Sequence, residues 1–357
     1  MKIRKRLVSL LFAVVLVFGM SVPAFAAPVQ KTVSMLCYNV AGLPSISGIM
    51  GQQGASVSSN QYTLGRSLNK ENLYDVIAVQ EDFNYDCYLR SGLTKYKYKT
   101  DHSGGIPGGD GMNIFSKVPI YNAKRTPWNQ AYGVIENGAD ELTPKGILYA
   151  VLDFGDGIQV DFYDIHADAY DDPGSIAARD NNFRQLMRAI NVRGTERPVI
   201  ITGDFNTSAH LVQGAGYTQT MITEGHFQDA WVKCCNGGTY DFSKYSAGPN
   251  PTSWSDGGSW GNWDSAEKFL YKDGGNIHIE ATSFAYKDYK NGDNSISDHK
   301  AAEVTFTLTK NADQTPSGAL RVNHLSLTSV LTTKAVTVVR DICKILSKPK
   351  EIIGLFS

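Results

Sequence analysis

At 357 residues the chain is too long for a disulfide-stapled miniprotein, and it suits one catalytic-sized domain with an appendage. Apolar residues make up 42% and charged residues 19%, which excludes wholesale disorder and supplies a large core. The formal charge of −1 conceals an uneven distribution.

Lys2, Arg4, Lys5 and Arg6 precede the apolar run Leu7–Met20, and Ala24-Phe25-Ala26 has the small-x-small form of a cleavage site. The run is short for the alternative, a membrane anchor. Residues 1–26 therefore read as a secretory signal peptide cleaved near Ala26 or Ala27, and the protein as secreted. Without those cations the charge is −5; setting aside the basic end as well leaves −9 on residues 27–316. An acidic body repels a polyanion unless a metal ion or a local cationic patch offsets it, which disfavours nucleic acid as a partner.

Apolar runs predict strands at 33–40, 76–79, 112–116, 147–154, 160–165 and 199–202. A helix is predicted from Ser175 as N-cap, just after Pro173. Its apolar face is Ile176, Phe183, Leu186, Met187 and Ile190, and Gly194 closes it. Val304, Phe306 and Leu308 alternate with polar residues as a half-buried strand. Strands mixed with helices predict a layered α/β or α+β domain over residues 27–310. A Pro- and Gly-containing linker starts at 311 and leads into a basic C-terminal extension to 357. The odd cysteine set, Cys37, Cys87, Cys234, Cys235 and Cys343, fits no zinc spacing. Cys37, inside an apolar strand, reads as a core thiol.

Several polar residues stand at strand ends, where a sheet delivers side chains to an open rim. Asn39 follows Met35-Leu36-Cys37-Tyr38, Glu81 follows Val76–Gln80, and His166 follows Val160–Ile165. Asp204 and Asn206 follow Pro198–Gly203, while Asp298 and His299 precede the last strand. Singly, each has a structural reading as a turn cap or a hydrogen-bonded loop residue. Together they supply oxygen ligands for Mg²⁺ and groups for proton transfer, the set that phosphate-ester hydrolysis needs.

In order and content, Tyr38-Asn39-Val40, Val79-Gln80-Glu81, Asp164-Ile165-His166, Thr202-Gly203-Asp204-Phe205-Asn206 and Ser297-Asp298-His299 resemble the motifs of the endonuclease/exonuclease/phosphatase superfamily. That resemblance implies the DNase I-like fold, an α+β four-layer sandwich of two packed mixed β-sheets flanked by helices. It implies a metal site at one rim, with Mg²⁺, or another divalent cation such as Mn²⁺, held by Glu81 with Asn39 and Asp298. By the same resemblance Asp204 orients and activates the attacking water, and Asn206 bonds the phosphoryl oxygen or that water. His299 acts as base or stabilises the pentacovalent phosphorus, and His166 contacts the phosphate or the leaving oxygen. The Asp that usually orients the last His is replaced by Glu267 in Glu267-Lys268-Phe269-Leu270-Tyr271; the alternative is a surface partner of Lys268.

Asn39-Val40-Ala41-Gly42-Leu43-Pro44, Gly111–Ile120 and Lys145-Gly146 are similar to the sphingomyelinase branch, which implies a phospholipid substrate in preference to nucleic acid. Trp254, Trp260 and Trp263 in a Gly/Ser-rich stretch either enter a lipid headgroup layer or pack on the body. The tail from Leu325 to Leu346 either lies on a membrane as a basic amphipathic helix or docks on its own domain. A DNase I-like nuclease, an inositol-phosphate-type phosphatase and a non-enzymatic surface-binding module are the alternative functions.

Overall fold

The structure, a computed structural model, describes residues 27–43, 56–106, 108–134, 140–141, 143–207, 215–240 and 265–311. The expected signal peptide, Trp254, Trp260, Trp263, Cys343 and the C-terminal extension lie outside the described residues.

The first elements in chain order are β1 (Val29–Asn39), α1 (Val57–Glu71), β2 (Val76–Gln80), α2 (Asp86–Gly92), β3 (Tyr98–Lys99) and β4 (Asn113–Ser116). Next come β5 (Ile120–Pro127), β6 (Gly146–Asp153), β7 (Gln159–His166), α3 (Pro173–Arg193) and β8 (Val199–Asp204). A helical turn and a π-helical stretch, Thr218–Glu224, lead to β9 (Gln228–Asp229) and α4 (Ala230–Cys235). The chain continues through β10 (Glu267–Lys272), β11 (Ile277–Lys287), a small hairpin β12 (Lys290–Asn291) and β13 (Asn294–Ser295), and β14 (Ala301–Lys310).

Two six-stranded sheets result, in the orders β11-β14-β1-β2-β4-β3 and β5-β6-β7-β8-β10-β9. Each is mixed, with one parallel pair, β1 with β2 and β7 with β8, among antiparallel neighbours. Strand alternation builds the layers. On β1, Val33, Met35 and Cys37 join Leu148, Ala150, Phe162, Ile200, Phe269 and Phe306 in a core between the sheets. The intervening Leu36 and Tyr38 pack outward with Leu64, Leu68 and Leu89 of α1 and α2. On the other side, Tyr149, Tyr163 and Ile201 meet Phe183 and Leu186 of α3 and Met221 of the π-helical stretch. Helices, sheet, sheet and helices form the four expected layers.

Every strand expected from apolar runs is present, with small shifts of boundary. Helix α3 starts earlier than expected: Asp172, not Ser175, is its cap, accepting the N–H groups of Gly174 at 3.0 Å and Ser175 at 3.2 Å. Pro173 fits the first helical position because its missing N–H needs no partner there. Cys37 is a fully buried thiol, as expected, and Cys37, Cys87 and Cys234 are unbridged.

One glycine of the Gly203-Asp204-Phe205-Asn206 segment fixes the end of β8. Gly203 has φ 140°, and a Cβ there would meet the Ile165 carbonyl oxygen at 1.9 Å on the neighbouring strand. Gly203→Ala therefore forces β7 and β8 apart beneath the rim, and it should destabilise the protein by about 3 kcal/mol. Chemical denaturation of the variant and the parent measures this; equal midpoints would refute the account.

Candidate active site

The polar rim grows from the register of the sheets. His166, Asp204 and Glu267 end or begin three adjacent strands, and the register pairs His166 with Asp204 and Asp204 with Glu267. They continue the alternation that sends Phe162, Ile200 and Phe269 into the inter-sheet core. Asn39 does the same for the facing sheet, two residues beyond Cys37. Glu81 and Asn206 follow their strands in the left-handed region, at φ 58° and 47°, a conformation uncommon for residues other than glycine and one that turns each chain sharply at the rim.

Asn39 is the meeting point. Its Nδ2 lies 3.1 Å from Glu81 Oε1, 2.9 Å from Asp204 Oδ2 and 3.4 Å from His299 Nε2. On the other side of the His299 ring, Nδ1 is 2.5 Å from Glu267 Oε1. Ser265 Oγ donates to the second Glu267 oxygen at 2.7 Å. Glu267 is thus buried, with Oε1 on the imidazole. Ser297 Oγ donates to the Asn39 carbonyl at 2.7 Å and accepts the His299 N–H at 3.1 Å, which ties the last motif to the first. The Asn206 N–H donates to Asp204 Oδ1 at 2.8 Å, and its side-chain amide donates one N–H to Ala167 O at 2.9 Å.

His166 sits deeper. Its Nε2 is 3.5 Å from Asp204 Oδ2, its ring is almost wholly buried, and the Trp128 indole N–H donates to its carbonyl at 2.6 Å. Asp298 is exposed at the edge and close enough to Glu81 to act on its charge.

The two histidines are driven apart electrostatically. Burial lowers the His166 pKa well below the usual histidine range, and the Lys145 ammonium adds to that. Burial also opposes charge on His299, but the Glu267 and Asp204 carboxylates outweigh it and raise its pKa well above that range. Burial would raise Asp204, yet His299 and His166, with two hydrogen bonds, hold it below the usual carboxylate value. Glu81 is raised by burial and by Asp298, with Lys145, His299 and Asn39 pulling the other way.

Two groupings are candidates for a cation. Asp204, Glu267 and His299 place ligand atoms within 4.8 Å of one another. In this grouping the short Glu267–His299 hydrogen bond occupies His299 Nδ1, and a hard cation prefers oxygen. Glu81, Asp298 and Asn39 fit better: two mutually repelling carboxylates at an open edge are relieved by a divalent ion. As placed, the Asn39 Nδ2 faces Glu81 and Asp204 and its oxygen accepts the Ala41 N–H at 3.1 Å, which leaves the second lone pair of that oxygen for a ligand role.

Two features escaped the sequence reading of the site. Lys145 is buried and ion-paired with Asp140, and its positive charge acts on Glu81, Asp204 and His166. The sequence marked Lys145 only as a point of family similarity. Beneath the rim, Gln80 Nε2 donates to Asp164 Oδ1 at 2.6 Å and joins the two sheets one residue before Glu81 and two before His166. Both residues lie inside the quoted motifs, but nothing in the sequence showed that they meet.

A model of the Endonuclease/Exonuclease/phosphatase family matches residues 36–299, which contain every site residue above. The chain belongs to that family. It is 28% identical over 288 residues to a sphingomyelinase of Mycobacterium tuberculosis, covering 76% of this chain and 52% of the relative. The chain spans about half the length of the curated relatives it matches. Among solved structures, a Staphylococcus aureus beta toxin mutant with bound magnesium ions superimposes with TM-score 0.51 at 16% identity, covering 77% of this chain and 99% of that one. Danio rerio TDP2 with a single-strand DNA product gives TM-score 0.55 at 14% identity, covering 77% and 99%. These likenesses show the fold.

A second acidic group beside the rim gives a pH-dependent test. Asp168 Oδ2 accepts the Tyr132 N–H at 2.8 Å. Burial and the neighbouring Asp140 push its carboxyl up to about 7. A folded pKa above the unfolded value of about 3.9 gives stability that is full below pH ~4 and lost as pH rises towards 7. Asp168→Asn keeps an acceptor for Tyr132 and does not titrate. The Tm of the variant relative to the parent should therefore climb between pH 4 and 7 and level off above; a constant difference across that window would contradict the burial argument.

Proposed function

We propose that the mature chain is a secreted Mg²⁺-dependent phosphodiesterase that hydrolyses a phospholipid headgroup ester, with sphingomyelin the first candidate substrate. The observation that carries this reading is the convergence of Glu81, Asp204 and His299 on the Asn39 amide, with Glu267 behind His299. Similarity to a mycobacterial sphingomyelinase supports the lipid class, and the magnesium in a beta toxin of like fold supports the metal. In this reading residues 1–26 are the cleaved signal and 27–310 the catalytic domain. The Trp254, Trp260 and Trp263 stretch and the basic tail are the candidate membrane contacts.

Glu81 and Asp298, with the Asn39 oxygen, would hold the cation. When bound it supplies positive charge to the phosphoryl oxygen, a contribution of several kcal/mol to transition-state stabilisation. Asp204, kept ionised chiefly by the His299 charge and the Asn39 and Asn206 hydrogen bonds, accepts a hydrogen bond from the attacking water and aims it in line with the leaving oxygen. Glu267 keeps His299 protonated, so His299 presents Nε2–H to charge building on the phosphoryl group. The second amide N–H of Asn206 is a further donor at the rim. His166, neutral and buried, steadies Asp204 from behind, and its burial favours that role over direct contact with the phosphate.

The test is a substrate panel: sphingomyelin vesicles, plasmid DNA and inositol phosphates, each with Mg²⁺ or with excess chelator. Phosphocholine release that chelator abolishes is expected; nicked plasmid with no lipid turnover would make the enzyme a nuclease. His299→Ala should lower turnover by roughly 10²-fold or more, the scale of losing a positioned proton-bearing group. Glu81→Gln should move the Mg²⁺ titration to higher concentration, and an unchanged titration removes Glu81 from the metal site.

A further inference from the structure

A groove of about 720 Å³ runs along the outer seam between α1 and α2, away from the rim residues described above. The two helices approach closely at glycines, one of which, Gly92, lines the groove. A Cβ on Gly65 would meet Leu89 O at 2.3 Å, and one on Gly92 would meet Gly65 C at 2.5 Å. Arg66, Lys70 and Lys95 line it with hydroxyls that include Ser67 and Ser91, and no carboxylate lines it among the described residues. All three cations are exposed, and none forms a salt bridge among the described residues. In a body carrying −9 over residues 27–316, three uncompensated cations in one recess are unexpected, because surface cations there have many carboxylates to pair with.

One cation is also held in place. Arg66 Nη1 donates to Tyr62 Oη at 3.2 Å, and the guanidinium lies over the Tyr62 ring at 5.6 Å. Fixing the planar donor fork in advance reduces the entropy lost when an anion binds. An adjoining recess shares Tyr62 and Ser91 and reaches Ser59, whose Oγ accepts from Asn291 at 3.1 Å in the hairpin that precedes Ser297-Asp298-His299. The adjoining recess is thus one hydrogen bond from the hairpin that precedes Ser297-Asp298-His299.

We propose that the α1–α2 groove is a binding site for a phosphate anion of two or more charges, with Arg66, Lys70 and Lys95 as its recognition residues. A phosphate oxygen accepts from guanidinium, ammonium and hydroxyl donors alike, and this lining supplies all three without a repelling carboxylate. The site is independent of the catalytic reading, since it uses none of the rim residues. The same chemistry can come from an anionic lipid headgroup or from a soluble phosphate, and the test separates them.

Binding of the full mature chain is measured in excess chelator, which removes any metal-borne phosphate site. One arm is sedimentation with phosphatidylcholine vesicles, with and without phosphatidic acid; the other is calorimetric titration with pyrophosphate. The double variant Arg66→Gln/Lys95→Gln is compared with Lys124→Gln, an exposed cation on β5. A loss of tenfold or more in the double variant with Lys124→Gln unchanged, in either arm, supports the site, and the arm that responds identifies the source. Equal binding by the double variant and the parent, equal losses in both variants, or no binding by the parent in either arm would overturn it.

Discussion

Strand alternation between the two sheets sets where the site can be. On β1, β7, β8 and β10 every second side chain faces the opposite sheet, and for most of their length those side chains are apolar. At one edge the same positions become polar: Asn39, Asp164 and His166, Thr202 and Asp204, and Glu267. A register slip of one residue would turn each of them to the helix-covered face, where no partner sheet brings the others within reach. Buried polar groups in such an interface are costly unless they are hydrogen-bonded, and Asn39–Asp204, Gln80–Asp164 and Glu267–His299 are, whereas Asp164 Oδ2 and His166 Nδ1 have no hydrogen-bond partner among the described residues. The Gln80–Asp164 hydrogen bond is the lowest rung, spanning the sheets directly under the rim.

This explains why the rim carries opposed charge states at short range. Asp204 lies 3.5 Å from His166 and 3.9 Å from His299, but only His299 has a second carboxylate. The imidazole with Glu267 behind it becomes the cation, and the imidazole beside Lys145 becomes the neutral partner. Identical side chains thus acquire different chemistry from their neighbours, the usual way in which one site holds both proton-bearing and proton-free groups.

The fold was largely legible because its buried strands are apolar runs and its rim is built from short, ordered motifs. Gly203-Asp204-Phe205-Asn206 could be read because each residue answers a local demand: a glycine where a Cβ would strike Ile165, then an acid and an amide in a turn. Helix α1 was not legible. Leu64 and Leu68 are its only large apolar buried residues, and Ser, Asn and Gly positions dilute the helical period. Strand β5 is exposed along most of its length and offers no apolar run. Lys145 and the Gln80–Asp164 bond were hidden for another reason: the Glu81, Asp204 and His166 on which Lys145 acts, and the Asp164 that Gln80 meets, are distant in sequence, and one-dimensional spacing carries no sign of them.

Glu267 shows how far residue type alone can decide a role. As a carboxylate one methylene longer than the family's usual Asp, it could reach His299 or miss it, and the sequence left both readings open. Register settles the matter, because β10 pairs Glu267 with Asp204 and so places its Cα in the row of site residues. The extra length is then constrained from the far side: Ser265 Oγ binds Oε2 and leaves Oε1 on His299 Nδ1. Two bonds to a buried carboxylate remove the rotational freedom that makes a longer side chain a poor orienting group. The substitution is therefore accommodated by a serine two residues away on the same strand entry, and Ser265 and Glu267 act as one unit in holding the imidazole.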